Sequence, residues 1–205
     1  AFDRQPCLLG WGIGDGFPES SSAVKKYQEN ITTAIRQLSS KILYKTVRFG
    51  AKTIATEGLD LICFRADKSW LPGDDFREEI ERLRGLSAQK PVMVCYGKLV
   101  QPNNLNGYAD PLSVESQAQY IRDCYRTVQQ TKAIGSIVWT FNDYSTARQI
   151  LLTNSTDQFV CTSGLMDIYR QPQLSYFIFK ALLNDEKEPL LRTGNFKEDT
   201  PIIYI

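Results

Sequence analysis

Five apolar segments of strand length, Cys7 to Ile13, Leu43 to Phe49, Leu59 to Phe64, Pro91 to Tyr96 and Ile137 to Phe141, alternate along the chain with longer amphipathic stretches. In the first of those stretches, over about 20–39, Val24, Tyr27, Ile31, Ile35 and Leu38 recur every three or four residues, the spacing of a helix buried on one side. Asp75-Phe-Arg-Glu78 offers a capping box for a helix carrying Phe76, Ile80 and Leu83. A helix over about 113–131 gathers Val114, Ala118, Ile121, Cys124, Tyr125 and Val128, and another is expected over about 172–184. A short linking helix is expected near 51–58. Strand, helix, strand in unbroken alternation predicts an α/β fold, a parallel sheet with helices against it. Periodicity alone leaves two architectures open: part of a (β/α)₈ barrel, or an open doubly wound sheet of the flavodoxin type.

A chain of 205 residues, 42% hydrophobic and 23% charged, can bury a core and reads as one soluble domain of the cytoplasm or periplasm. With 24 basic against 23 acidic residues, dispersed rather than clustered, it has no field for a phosphate backbone, and nucleic acid is not an expected partner. The longest apolar runs fall far short of the roughly 20 residues that span a bilayer, so no membrane partner is expected either. The N-terminal Ala-Phe-Asp-Arg-Gln-Pro lacks the form of a signal peptide and reads as the interior of a longer protein. The chain has no histidine, which removes Ser-His-Asp triads, Cys-His dyads and His-ligated metals together. Cys7, Cys63, Cys95, Cys124 and Cys161 are widely spaced, without a Cys-x-x-Cys pair, and are expected as buried thiols; neither a metal nor a cofactor is expected.

The chemistry-bearing residues lie at strand ends. Glycines 10, 12, 14 and 16 follow a strand but miss the dinucleotide spacing, and no Gly-Lys-Ser/Thr is present, so they read as a tight strand end. Asp15, Asp67, Asp110 and Asp143 fall at or after strand ends, where carboxylates either do acid/base work or cap turns. Trp11, Trp70 and Trp139 lie nearby, as platforms for a sugar ring or as core.

Taken together, these residues resemble the carboxyl-terminal half of the catalytic barrel of glycoside hydrolase family 2, the β-galactosidase and β-glucuronidase group, over about 5–188. Trp139-x-Phe-x-Asp143 resembles that family's last barrel strand, and Gly164-Leu-x-Asp-x-x-Arg170-x-Pro172-x-x-x-Tyr176 the segment closing the barrel. Trp11-Gly-Ile-Gly14 resembles strand four, whose family form continues Asn-Glu and supplies the acid/base; here Asp15 and Gly16 follow. Cys63 to Trp70 is similar to strand six, with Arg65 and Asp67 near its Asn and Tyr positions. Lys90 to Gly97 is similar to strand seven, where Cys95 or Tyr96 falls at the nucleophilic glutamate.

The resemblance implies strands four to eight of a barrel over 1–188, and a tail, 189–205, that opens a following β-sandwich domain. It implies a sugar-facing cleft lined by Asp15, Asp67, Trp70, Tyr96, Trp139 and Asp143, with no catalytic glutamate at Gly16 or at Cys95 or Tyr96. Three functions stay open: a carbohydrate-binding or structural module without hydrolysis, a retaining glycosidase working with displaced carboxylates, and a flavodoxin-like ligand- or partner-binding domain. A half barrel leaves two sheet edges exposed, so self-association or contact with the missing barrel half and β-sandwich domains is expected.

Overall fold

The computed structural model describes residues 4–66, 74–146 and 159–194. Five parallel strands form one sheet, β1 (Gly10–Asp15), β2 (Ile42–Arg48), β3 (Leu61–Arg65), β4 (Val92–Tyr96) and β5 (Gly135–Val138), in spatial order 1-2-3-4-5. Helices α1 (Ser22–Arg36), α2 (Asp74–Leu86) and α3 (Val114–Gln129) fall between them. A two-stranded antiparallel ribbon, β6 (Tyr144–Ser145) with β7 (Val160–Cys161), and α4 (Leu174–Asn184) complete the described elements. The sequential order has no point at which strand order reverses, and a doubly wound sheet requires one. The flavodoxin-like expectation is therefore corrected: each strand was added on the same side of its predecessor, as in a singly wound sheet.

The chain divides into two compact units, the first comprising 1–95 and 127–137, the second 96–126 and 138–205. In the first unit, parallel pairing puts registered residues on one face. Leu43, Val47, Ile62, Phe64, Val92 and Val94 share a fully buried face. Tyr44, Thr46, Cys63, Arg65, Met93 and Cys95 share the other. In α2, Phe76, Ile80 and Leu83 are wholly buried, the stripe their spacing foretells.

Helix α1 sets Val24, Ile31 and Ile35 half-buried on the expected stripe, with Gln28 and Thr32 buried on it as well, while Tyr27 and Leu38 are exposed. The expected short linking helix near 51–58 does not form, and a buried cation is part of the reason. Lys45, on the apolar face of β2 and 4% exposed, donates to Glu19 Oε2 (2.6 Å) and to Gln28 Oε1 (3.0 Å). Gln28 Nε2 in turn donates to the carbonyls of Ala55 and Glu57, and Ala55 N–H donates to Glu19. Those side chains satisfy the backbone of 51–58, which runs as loop and turn between Gly50 (φ 84°) and Gly58 (φ 73°), not as the short helix its composition suggests.

In the second unit, α3 buries Ala118, Ile121, Cys124 and Val128 as expected, together with Gln117, whose amide donates to the carbonyl of Lys98 (3.0 Å). Strand β5 stops at Val138, three residues short of the expected end at Phe141. The ribbon β6–β7 has strands of two residues each, too short to leave an alternation signal. Beyond Pro189 the chain hydrogen-bonds to the loop after β4, with Tyr108 N–H to the Arg192 carbonyl and Ala109 N–H to that of Thr193, each 2.9 Å. The expected tail beyond 194 lies outside the described residues.

Candidate functional site

In the first unit the chemically active groups gather at the ends of β1 to β4, on the half-buried face of the sheet. Asp15 is registered with Thr46, Thr46 with Cys63 and Cys63 with Met93; one layer further on, Arg48, Arg65 and Cys95 are registered together. Asp15 is ion-paired with Arg65. Gly16 follows with φ 63°, its N–H donating to the Thr46 carbonyl (2.8 Å). A Cβ at position 16 would stand 2.6 Å from Arg48 Nε and 3.1 Å from Arg65 Nη2. Glycine is thus favoured by the left-handed backbone, and two guanidinium groups occupy the space a longer side chain would need.

Cys63 and Cys95 hydrogen-bond to each other on this face, and that bond is the main reason the Cys63 thiol is held low and the Cys95 thiol pushed up. Tyr96 alternates to the opposite face and is fully buried. Of the two residues expected near the family's nucleophile position, only Cys95 shares the face of Asp15. Apart from Asp15, no carboxylate stands among the registered residues of that face in β1 to β4. Asp67 and Trp70 lie outside the described residues. Trp11, at the start of β1, donates its indole N–H to Ser39 Oγ (3.1 Å) and so serves the fold.

The second unit holds Trp139 and Asp143. Trp139 follows β5 directly, its N–H donating to the Tyr96 carbonyl (2.8 Å), and its peptide bond to Thr140 is cis. Trp139 is 53% exposed, and its ring meets Tyr144 edge-on, centroids 6.4 Å apart at 88°. Gly97 allows the backbone of Trp139 to come this close, since a Cβ there would lie 1.9 Å from the Trp139 carbonyl oxygen. Phe141 and Phe159 add further exposed aromatic surface.

Asp143, assigned from the sequence to the same cleft, has an opposite environment. It is 6% exposed, accepts from Gly164 N–H (2.7 Å) through Oδ1, and has only a long contact from Gln173 Nε2 (3.4 Å) at Oδ2. Burial pushes its carboxyl up to about 6, against the lowering effect of the Gly164 bond. The motif 164–176 explains itself structurally. Gly164 packs against the Asp143 backbone, where a Cβ would stand 2.4 Å from Asp143 N, and Asp167 Oδ1 accepts from Tyr169 and Gln171 N–H (2.8 Å each), turning the chain through Arg170 (φ 65°). Asp110 likewise ties its loop together, accepting from Asn104, Asn106 and Leu112.

Sequence reading missed Arg48, Gln28 and Glu19. Arg48 ends a strand two residues beyond Thr46 and its role depends on Gly16 lying alongside, a contact between separate strands. No cluster of three or more Asp, Glu or Cys is arranged to hold a metal ion among the described residues, and no helix among them is long and apolar enough to cross a membrane.

No family model matches this sequence, and no curated protein matches it. Solved structures do. A β-glucuronidase of an uncultured Clostridium species is similar with a TM-score of 0.73 and 21% identity, over 88% of this chain and 33% of that one. The Faecalibacterium prausnitzii β-glucuronidase gives 0.74 and 20%, over 95% and 33%. A GH2 β-galacturonidase from Eisenbergiella tayi bound to galacturonate gives 0.77 and 15%, over 90% and 34%. The chain therefore spans about a third of the length of these enzymes, and at such identities the likeness establishes the fold: its α/β arrangement is that of one portion of the GH2 β-glucuronidase and β-galacturonidase structures.

Proposed function

We propose that this chain is the second half of a glycosidase-like (β/α)₈ barrel, strands four to eight over 1–188 with 189–205 leading into a further domain, and that it binds carbohydrate or supports a larger assembly without hydrolysing it. The strand-end face of the first unit carries this reading. A retaining glycosidase needs two carboxyls about 5–5.5 Å apart, one to protonate the leaving oxygen and one to attack the sugar carbon. Here Gly16 stands where the resemblance puts the first and Cys95 where it puts the second. The remaining carboxylate, Asp15, is engaged by Arg65.

Sugar contact is assigned to the exposed Trp139 ring in the second unit, by stacking, and to the Asp15–Arg65 pair in the first, with Asp67 and Trp70 joining them on sequence grounds. Tyr96 and Asp143 are withdrawn from direct contact in this proposal, because both are buried. The edges of the open sheet, β1 and β5, have no strand partner on their outer sides among the described residues, which supports coverage by the rest of such a barrel or by a second copy.

Calorimetry with mono- and disaccharides, uronic acids included, run beside release of a chromophore from aryl β-glycosides, tests the reading. Saturable binding that weakens at least tenfold in Trp139→Ala, with no turnover above the buffer rate, is the expected result. Turnover abolished by Asp15→Asn would overturn it in favour of an active enzyme with displaced carboxylates.

A further inference from the structure

Cys63 and Cys95 are chemically active groups of the strand-end face to which the carbohydrate reading gives no part. Both are buried, and neither is in a disulfide. Far apart in sequence, they leave no spacing motif; strand pairing brings them onto one face of β3 and β4, where their thiols hydrogen-bond to each other. The two sulfurs are therefore within reach of a single bound atom. Met93, registered with Cys63 and two residues before Cys95, places a thioether residue on the same face.

The charge around the thiols has a surplus of the positive sign. Arg48 and Arg65 end β2 and β3 in register with Cys95, and Asp15 is the one carboxylate among the registered residues of that face. Asp15 is ion-paired with Arg65, whereas Arg48 makes no ion pair or hydrogen bond among the described residues. Arg48 Nε and Arg65 Nη2 stand 2.6 and 3.1 Å from the one point where Gly16 lacks its Cβ. One guanidinium charge in the layer of Cys95 is thus left without a counter-charge.

A soft monovalent cation fits this arrangement, and hard or divalent ions do not. No three Asp, Glu or Cys converge among the described residues, so the oxygen cages of Ca²⁺ and Mg²⁺ have no counterpart here. Structural zinc takes four ligands and iron–sulfur clusters four thiolates, while Cu⁺ is satisfied by two or three sulfurs. We infer that Cys63 and Cys95 form a Cu⁺ site, with Met93 beside it as a weaker third sulfur. Binding exchanges two S–H bonds for two Cu–S bonds: one Cu⁺ and two thiols give a dithiolate complex of charge −1, two protons leave to solvent, and no electron is transferred. The complex's negative charge meets the surplus guanidinium. The site does not depend on the carbohydrate reading, in which neither thiol touches sugar.

The test is anaerobic titration of the full chain with tetrakis(acetonitrile)copper(I) against the chromogenic chelator bathocuproine disulfonate. It is run in a Cys7→Ser background, because Cys7 is an exposed thiol. One equivalent of copper should be withheld from the chelator, with about two protons released per copper at pH 7, and Zn²⁺ should bind about a hundredfold or more weakly. Cys63→Ser and Cys95→Ser should each weaken Cu⁺ binding about a hundredfold, while Cys124→Ser and Cys161→Ser leave it unchanged. Should the variants at 63 and 95 fail to fold, X-ray absorption at the copper edge of the Cys7→Ser chain decides: two or three sulfur neighbours and no others support the site, and nitrogen or oxygen neighbours overturn it. Copper lost wholly to the chelator, retention unchanged in Cys63→Ser or Cys95→Ser, or zinc bound as tightly as copper also overturns it.

Discussion

The ends of β1 to β4 in the first unit and the segment after β5 in the second carry the same kinds of residue and hold them in opposite ways. In the first unit, side chains lock the strand ends: Asp15 grips Arg65, Arg48 fills the space beside Gly16, and two thiols meet. In the second, backbone locks them: Gly97 lies against the Trp139 carbonyl and Gly164 against Asp143 N, with no room for a methyl group. Two aspartates that look equivalent in sequence consequently differ, Asp15 being largely exposed and Asp143 buried and nearly neutral at mildly acid pH. A carboxylate at a strand end is a chemical tool only where neighbouring backbone leaves it in water.

The sharpest way to break this comparison is Gly97→Ala. The new Cβ would overlap a backbone carbonyl that cannot rotate away, so a loss of more than about 4 kcal/mol is expected, read as a collapse of the thermal transition. Gly16→Ala, by contrast, meets movable guanidinium groups and a positive φ, and should cost only about 1 kcal/mol. Equal effects at the two glycines would erase the distinction between backbone and side-chain locking.

Within the first unit, removal of one partner from the buried pair should rank second. Glu19→Ala leaves Lys45 charged on an apolar face, and urea unfolding should show a loss of about 3–5 kcal/mol. Lys45→Met together with Glu19→Leu, which removes both charges, should recover most of it.

Asp143 is third, and its sign is set by pH. Its folded pKa is raised, to about 6 from an ordinary 3.8, so its protonated form favours folding: the stabilisation is complete below about 3.8 and is lost as pH rises through 6. The rise corresponds to about 3 kcal/mol. Asp143→Asn keeps an acceptor for Gly164 N–H and should therefore flatten the pH dependence of stability between pH 4 and 7. An unchanged slope would mean that the carboxyl is hydrated.

The smallest effect is expected for Asp15→Asn. Its ion pair is half in water, and exposed pairs contribute about 0–1 kcal/mol, so the melting temperature should barely move. Only carbohydrate affinity should respond.

Much of the fold was legible because periodicity survives without tertiary knowledge. Phe76, Ile80 and Leu83 in α2, and Ala118, Ile121, Cys124 and Val128 in α3, are buried as their spacing requires. Helix α1 was legible in the stripe of Val24, Ile31 and Ile35, all half-buried, but not in the burial of Gln28 on that stripe, because its partner is a lysine on a strand 17 residues away. Of the site residues, Trp139 emerges with an exposed ring. Asp143 and Tyr96 do not, since burial depends on what the rest of the chain lays over them.

The amino-acid sequence by itself determined the α/β alternation, the places where strands end and the absence of imidazole chemistry. These are local or compositional properties, carried by consecutive residues. Tertiary structure decided the strand order, that Gln28 of α1 meets Lys45, and that Arg48 and Arg65 close over Gly16 while Gly164 closes over Asp143. Each of those depends on which distant backbone comes to lie alongside, and contacts between residues far apart in the chain leave no period for a sequence to show.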